Sequence, residues 1–499
     1  MPDRPYIFLE LTTSLCSKCL RKVEAKVILQ NGRVYLHKWC PTHRFEKVLI
    51  STDAEYYQLS RQTLKPGQMP LKFNTPIKYG CPYDCGLCPD HEQHSCLTLL
   101  EITDACNLNC PVCYSESGTH RAGQHRSMES ILFMLDRIVE NEGKPDVVQI
   151  SGGEPTIHPQ FFDVLDACKA RPIKHLMVNT NGVRIAGDEA FTRRLKDYMP
   201  GFEVYLQFDS LRANSLKDLR GEDLTDTRRR ALDRLNEHNI STTLVVTLKK
   251  GLNDSEIGEI IDFALQQPCV RGITFQPIQS AGRLEHFDPA TDRLTLGEVR
   301  QQILKQHSLF KPNDIVPVPC HPDCLAMAYA LKNVGASLGV RALARMSSSD
   351  GTPMPAKAGT PSVIPLTGKL DPKLLLHGEG NTIMYEKDPR VRNLLFELFS
   401  TAASPAGSAT SLRQLLCCLP LVEVPETVTY DNIFRIIIMQ FLDPHNFDVR
   451  SVKKTCVHIA HPDGRIIPFD TYNLFYRDGK EQMLEKLRGG PELLPILNG

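Results

Sequence analysis

The chain has 499 residues with 58 basic and 58 acidic side chains. It is long enough for several domains, and its zero net charge shows no cationic excess of the kind that marks a nucleic-acid groove or a polybasic membrane patch. Seventeen cysteines recur at short spacings, which points to metal ligands rather than disulfides; with no basic-then-apolar leader and no bilayer-length apolar run, the expected home is a reducing cytoplasm.

Residues 1–75 carry two ligand pairs, Cys16-x2-Cys19 and Cys40-x2-His43. Between them Ala25–Leu29 and Val34–Lys38 flank Asn31-Gly32, a strong hairpin signal. Short pairs on either side of a hairpin resemble a zinc ribbon or a rubredoxin-like iron site. Three sulfurs and one nitrogen favour tetrahedral zinc, with mononuclear iron as the alternative. Four ligands leave no open position, so the expected role is structural; the competing reading makes His43 an ordinary surface residue.

Residues 76–96 hold Cys81-x3-Cys85-x2-Cys88, then Cys96, a candidate fourth thiolate for a closed 4Fe–4S cube suited to electron transfer or to holding the fold. His91 and His94 read as ordinary loop histidines. The three-then-two spacing returns in Cys106-x3-Cys110-x2-Cys113, now directly after a strand-like run and with no evident fourth ligand. Three thiolates hold three irons of a cube and leave the fourth open to a small molecule. A zinc knuckle, or three unrelated thiols, is the weaker alternative.

Residues 97–285 alternate strand-like and helix-like segments, the pattern of parallel β/α units. Strands are expected near Leu97–Ile102, Val147–Ser151, His175–Asn179, Val204–Phe208, Thr242–Leu248 and Gly272–Gln276, with helices between them such as Met128–Glu140 behind the N-cap Ser127. The expected fold class is α/β: a partial (β/α)6 barrel open on one side, with an N-terminal metal-knuckle domain and a C-terminal α+β domain. Active sites of such folds lie beyond the carboxyl ends of the strands. There stand Gly152-Gly153-Glu154, whose glycines admit close backbone approach and whose carboxylate accepts from an ammonium. Asn179, Asn181, Asp209, Thr247 and Gln276 also lie at strand ends, each a candidate for ribose hydroxyls or substrate and equally a turn or cap residue. Cys168 and Cys269 have no partners at ligand spacing and read as buried apolar residues.

The Cys106/Cys110/Cys113 triplet, followed at this distance by Gly152-Gly153-Glu154, resembles the radical S-adenosylmethionine (SAM) superfamily. The resemblance implies a 4Fe–4S cluster whose open iron binds the amino and carboxylate groups of SAM, and cleavage of SAM to a 5′-deoxyadenosyl radical once an electron arrives. It places Gly152, Gly153 and Glu154 against the SAM amino group and Tyr114 beside adenine.

Residues 286–344 extend the barrel and carry Cys320-x3-Cys324 before a helix-like stretch, Leu325–Leu331; residues 345–368, rich in Ser, Gly, Pro and Ala, read as a linker or loop; residues 369–499 form the C-terminal domain. Cys456 is a candidate to complete a third cluster with Cys320 and Cys324, and Cys417 or Cys418 is either its fourth ligand or core. Ile433–Met439 and the region from Ile466 read as strands. The order of knuckle, two triplets, Pro319-Cys320-His-Pro-Asp-Cys324, Asn446-Phe-Asp-Val, Lys453-Lys-Thr-Cys456-Val-His and Pro468-Phe resembles the multi-cluster family of archaeal tetraether lipid synthase, a group that also includes dihydropterin dimethyltransferase. Asp470 stands where that family often has a cysteine, a departure that bears on the ligands of a third cluster.

This closer resemblance implies radical C–H activation and C–C bond formation, with lipid alkyl-chain coupling as the leading expectation, which would make the protein a transferase or oxidoreductase of lipid biosynthesis. Radical C-methylation of a pterin-like ring is the alternative, and a non-catalytic iron–sulfur carrier or scaffold is a third reading. An unactivated C–H bond has no acidic proton, so acid–base chemistry cannot break it. The implied partners are a lipid or small-molecule substrate, an external electron donor such as ferredoxin or flavodoxin, and a peripheral membrane contact if the substrate is a lipid; no nucleic acid is expected.

Overall fold

Alternation of apolar and polar residues builds the N-terminal sheet, whose strands β1 (Ile7–Leu15), β2 (Lys22–Gln30), β3 (Arg33–Cys40) and β4 (Arg44–Ser51) pair antiparallel in chain order. Asn31 and Gly32 both take positive φ, 52° and 71°, the backbone that a two-residue hairpin of this twist requires. Ala25, Val27, Val34 and Leu36 fill the covered face. The structure, a computed structural model, describes residues 4–63, 67–285, 287–332, 363–365, 367, 433–477 and 479–489. Cys417, Cys418 and residues 345–362 of the linker-like segment lie outside the described residues.

Six strands follow as expected, all parallel to their neighbours: β5 (Leu97–Thr103), β6 (Val147–Gly152), β7 (His175–Thr180), β8 (Phe202–Gln207), β9 (Thr242–Leu248) and β10 (Val270–Pro277). Their outward residues, among them Leu100, Val148, Ile150, Val204 and Val246, are fully buried under helices. Burial of each such side chain contributes about 1.5–3 kcal/mol. Helix α1 (Met128–Glu142) shows how one of these layers is made. Ser127 accepts from Ser130 N at 3.3 Å to start it, and Ile131, Met134, Leu135 and Ile138 form the stripe that faces the sheet.

The sheet does not stop at six strands. The segment after residue 432 supplies β12 (Ile433–Met439), parallel to β10, and β13 (Val457–Ala460), parallel to β5. Eight parallel strands therefore curve around one interior, and both flanking strands come from the C-terminal segment. β11 (Leu325–Lys332) pairs antiparallel with β12, and β14 (Ile466–Pro468) with β13. The stretch read from sequence as helix-like, Leu325–Leu331, is thus a strand. Ala326, Ala328 and Ala330 alternate on one fully buried face, and the exposed backbone edge of β12 gives them a ladder to join.

Among the described residues, two large apolar cores flank the barrel. One lies between the barrel and its outer helices, and Cys168 and Cys269 are buried in it. The other lies where the β5–β13 edge meets the Cys81–Cys88 loop and the C-terminal segment, and it contains Cys85, Cys320, Cys324 and Cys456. Among the described residues, no helix is long and apolar enough to cross a membrane.

Candidate active site and metal centres

Cys106, Cys110 and Cys113 occupy the loop after β5, and all three line a cavity at the carboxyl ends of the barrel strands. The loop is pinned from outside. Arg283 Nε donates to Cys110 O at 2.7 Å and its Nη2 to Ser117 O at 2.8 Å, while Val112–Cys113 pairs with Arg283–Leu284. Gly282 makes that approach possible: at φ 69°, a Cβ there would lie 2.4 Å from Cys113 O. Burial pushes the Cys106 thiol up to about 12, with Glu154 adding to the effect, so a bound cation is needed to hold its thiolate. Among the described residues no other cysteine lines the cavity. Three soft ligands and no fourth fit a 4Fe–4S cube with one iron open.

The loop after β6 forms the opposite wall. A Cβ on Gly152 would lie 2.2 Å from Thr103 O, and one on Gly153 2.1 Å from Ala105 O, so only glycine lets this loop lie against the cysteine loop. Glu154 is fully buried, and its carboxylate does more internal work than the motif suggests. Oε1 accepts from Thr156 N, Thr156 Oγ1 and Thr180 Oγ1 at 3.1, 2.5 and 2.8 Å, and Oε2 accepts from Asn181 N at 2.7 Å. Glu154 therefore ties the β6 loop to the β7 loop. Asn181 Nδ2 in turn donates to Asn107 Oδ1 at 2.6 Å, beside Cys106. Tyr114 lines the cavity and shares a 3.1 Å hydrogen bond with Ser151 Oγ; Asn179 Nδ2 reaches the same hydroxyl at 3.4 Å.

Asp209 departs from expectation. Its carboxylate does not line the cavity; it is fully buried in a two-pronged pair with Arg220, whose Nε and Nη2 donate at 2.7 and 2.6 Å. Burial alone would raise its pKa, but the guanidinium holds the carboxyl below its usual range. Arg220, on helix α2 (Ala213–Arg220), is the cavity's cation instead, and its Nη1 also donates to Val112 O at 3.2 Å. No motif marks Arg220 in the sequence; a basic residue closing the first helix after a strand-end acid is the one available sign.

Deeper in the barrel the cavity is walled by Leu97, Leu99, Val245, Met439 and Val457, with the Gln149 and Tyr205 side chains among them. Gln276 also lines it and donates through Nε2 to Tyr205 Oη at 3.1 Å. Along one side Tyr114, Phe469 and Phe441 form a continuous aromatic wall, with ring centroids 5.2 and 4.0 Å apart. Most of this chamber was not read from sequence, because inward-facing strand residues carry no local signature.

In the N-terminal domain Cys16, Cys19, Cys40 and His43 bring their ligand atoms within 4.8 Å of one another. Tetrahedral zinc sets S···S at about 3.8 Å and S···N at about 3.6 Å. The structure has Cys19 Sγ···Cys40 Sγ at 3.9 Å, and His43 Nδ1 at 3.4 and 3.7 Å from Cys16 and Cys40 Sγ. The four residues fit a closed structural ion.

The remaining cysteines group differently from their order in the chain. Cys96, read from sequence as a fourth thiolate for Cys81/Cys85/Cys88, has its Sγ within 4.8 Å of those of Cys320 and Cys456. The cause is strand register. Leu97 pairs with Val457, so the residues before them, Cys96 and Cys456, are brought side by side. Cys324 is buried in the same core but outside that trio, and burial, with the nearby Asp470 carboxyl adding to it, pushes its thiol well up. Asp470 is itself fully enclosed and accepts from Leu442 N and Thr455 Oγ1 at 2.6 and 3.0 Å. His91 and His94 are buried rather than loop-exposed. His91 lies 3.1 Å from His458, and His94 bridges Glu142, at 2.9 Å, and Cys96 Sγ, at 3.5 Å.

Residues 100–264 match the radical SAM superfamily, and residues 8–52 match the HMPTM N-terminal zinc ribbon domain. The chain is 28% identical to 7,8-dihydro-6-hydroxymethylpterin dimethyltransferase of Methanocaldococcus jannaschii, over 94% of each protein. It is 34% identical to the mycofactocin maturase of Mycobacterium tuberculosis over 28% of this chain and 34% of that one. Streptococcus suis SuiB bound to S-adenosylmethionine matches 42% of this chain and 47% of its own, at a TM-score of 0.35 and 17% identity.

Proposed function

The chain belongs to the radical SAM superfamily, and from that premise we propose that it is a radical C-methyltransferase acting on a pterin-like ring. The observation that carries this reading is the length of the likeness to a pterin dimethyltransferase, which covers 94% of the chain and so spans the ribbon and barrel as well as the C-terminal strands that wall the chamber. When bound, the 4Fe–4S cluster and SAM supply the radical that takes a hydrogen atom from an unactivated carbon.

The protein's part is positioning. Cys106, Cys110 and Cys113 would hold three irons of the cluster and leave the fourth for SAM. Gly152 and Gly153 let their loop close against the cysteine loop at the cavity's edge, Arg220 faces the cavity with a fixed positive charge, and the Tyr114–Phe469–Phe441 wall excludes water. A separate methyl donor and a small reductant of the ferredoxin or flavodoxin type complete the reaction. Lipid coupling, the leading expectation from sequence, draws on the same whole-length likeness. An alkyl chain filling the chamber would cover its apolar wall and leave the Gln149 amide and the Gln276 carbonyl oxygen desolvated with nothing to bond.

Anaerobic, reconstituted protein given SAM, a reductant, a methyl donor and a reduced 6-hydroxymethylpterin is expected to yield ring-methylated product and 5′-deoxyadenosine. Joined alkyl chains from a long-chain lipid, with no pterin-dependent 5′-deoxyadenosine, would replace this reading with the coupling one.

A further inference from the structure

Strand β6 alternates strictly. Val148 and Ile150 face the outer helices and are fully buried, while Gln149 and Ser151 face the barrel interior. Ser151 belongs to the cofactor end, where its hydroxyl meets Tyr114. Gln149 lies two residues earlier, about 7 Å deeper along the strand. It therefore sits below the Gly152–Gly153 cradle, in the part of the cavity left for substrate.

Gln149 is 4% exposed and opens on the cavity, and among the described residues its amide makes no hydrogen bond to the protein. Its neighbours differ. Asn179 donates to Ser151 and Asn181 to Asn107. Gln276 uses its nitrogen on Tyr205 and keeps its oxygen. Gln149 is thus a nearly enclosed residue whose amide is open to the cavity, with both a donor and an acceptor unused by the protein, in a wall that includes Leu97, Leu99 and Val457. An amide held in an enclosed wall with both its groups turned to the cavity and unused by the protein is free to bond whatever fills that cavity.

We propose that Gln149 is the residue that recognises the substrate, reading through paired hydrogen bonds the edge of a flat nitrogen heterocycle on which an N–H stands beside a C=O or ring nitrogen. A primary amide presents one donor and one acceptor in a plane, and such an edge returns both. The aromatic wall of Phe469 and Phe441 supplies a surface for the ring faces. This inference rests on the ring-methylation reading and adds to it the atom pair that selects the ring.

The test uses holoenzyme with SAM, and 6-hydroxymethylpterin as the probe, in the wild type and in Gln149→Leu and Gln149→Met, the second keeping the length of glutamine without its amide. Both variants are expected to weaken pterin binding at least about tenfold, because the edge is left unpaired in a dry site. Cluster content, SAM affinity and pterin-independent SAM cleavage are expected to stay at wild-type values. A ring of similar size lacking the N–H/C=O edge is expected to bind all three proteins alike. Pterin binding that is equal in wild type and both variants overturns the inference and leaves ring methylation standing. Gln149-dependent pterin binding with no methylated product upholds the inference and overturns the methylation reading. A wild type that binds no ring of this class overturns both.

Discussion

Arg220 and Asp209 form a buried two-pronged ion pair, with contacts of 2.7 and 2.6 Å, at the cysteine end of the cavity. The pair fixes the cavity's cation, since Arg220 also reaches Val112 O on the cysteine loop and Thr247 Oγ1 on β9, at 3.2 and 2.8 Å. Asp209→Asn removes the countercharge and leaves the guanidinium enclosed. Breaking one side of a buried pair costs about 3–5 kcal/mol. The remaining acceptors of Arg220 put the expected loss near the lower figure. Anaerobic urea unfolding of the variant is expected to show it as a lowered midpoint at unchanged slope, and SAM affinity is expected to fall with it because Arg220 loses its fixed position.

Gly153 offers a sharper test of the cofactor cradle. A methyl group there would lie 2.1 Å from Ala105 O and 3.1 Å from Asp104 O, both backbone atoms that cannot swing aside. Gly153→Ala is expected to push the β6 loop off the cysteine loop and to weaken SAM binding more than about tenfold, as a 1 Å misplacement commonly does. Gly187→Ala, where nothing lies within 4 Å of the added carbon, is the control and is expected to bind SAM normally. Equilibrium dialysis on reconstituted protein reads both.

These two sites also show what the sequence could and could not tell. The cysteine triplet and Gly152-Gly153-Glu154 were legible because their chemistry depends on spacing within one loop. Asp209 was misread because its role is set by Arg220, eleven residues later and one helix away. Leu325–Leu331 was misread because a short apolar run does not distinguish strand from helix until its partner is known, and that partner, Ile433–Met439, lies some hundred residues downstream. Gln149 was invisible for a related reason: a glutamine inside a strand acquires meaning only when the register shows which face points inward.

Acid sensitivity is expected in the contact between the N-terminal sheet and the 443–447 loop. Glu46 pairs with Lys38 at 3.1 Å and with His445 at 3.4 Å. Burial pushes the Glu46 carboxyl up, but these partners outweigh it and bring the pKa down to about 2 from 4.5. A folded-state pKa below the unfolded one contributes stability that is complete above about pH 4.5 and is lost as pH falls toward 2. Glu46 keeps 28% of its side-chain surface in water, so the contribution is about 1 kcal/mol. Glu46→Gln is expected to be less stable than wild type at pH 6 and equal to it near pH 2. The single tryptophan, Trp39, lies beside Lys38 on β3, so its fluorescence reports unfolding of this sheet directly.

The regrouping of Cys96 carries the most direct consequence for the metal content. If Cys96 shares a centre with Cys320 and Cys456, the thiols it lies closest to, then Cys96→Ala and Cys320→Ala perturb one and the same centre. Cys81→Ala perturbs another, whose thiols Cys81, Cys85 and Cys88 interact with one another. Iron and sulfide counts with low-temperature EPR of the reduced proteins separate these outcomes. Cys96→Ala and Cys320→Ala are expected to lose the same signal, and Cys81→Ala a different one, while Cys110→Ala with Cys113→Ala loses a third together with all SAM cleavage. The ribbon ion is expected to persist in all four, since its ligands Cys16, Cys19, Cys40 and His43 are untouched. Matching losses from Cys96→Ala and Cys81→Ala would instead restore the grouping suggested by chain order, and the β5–β13 register would then have to differ from the one described.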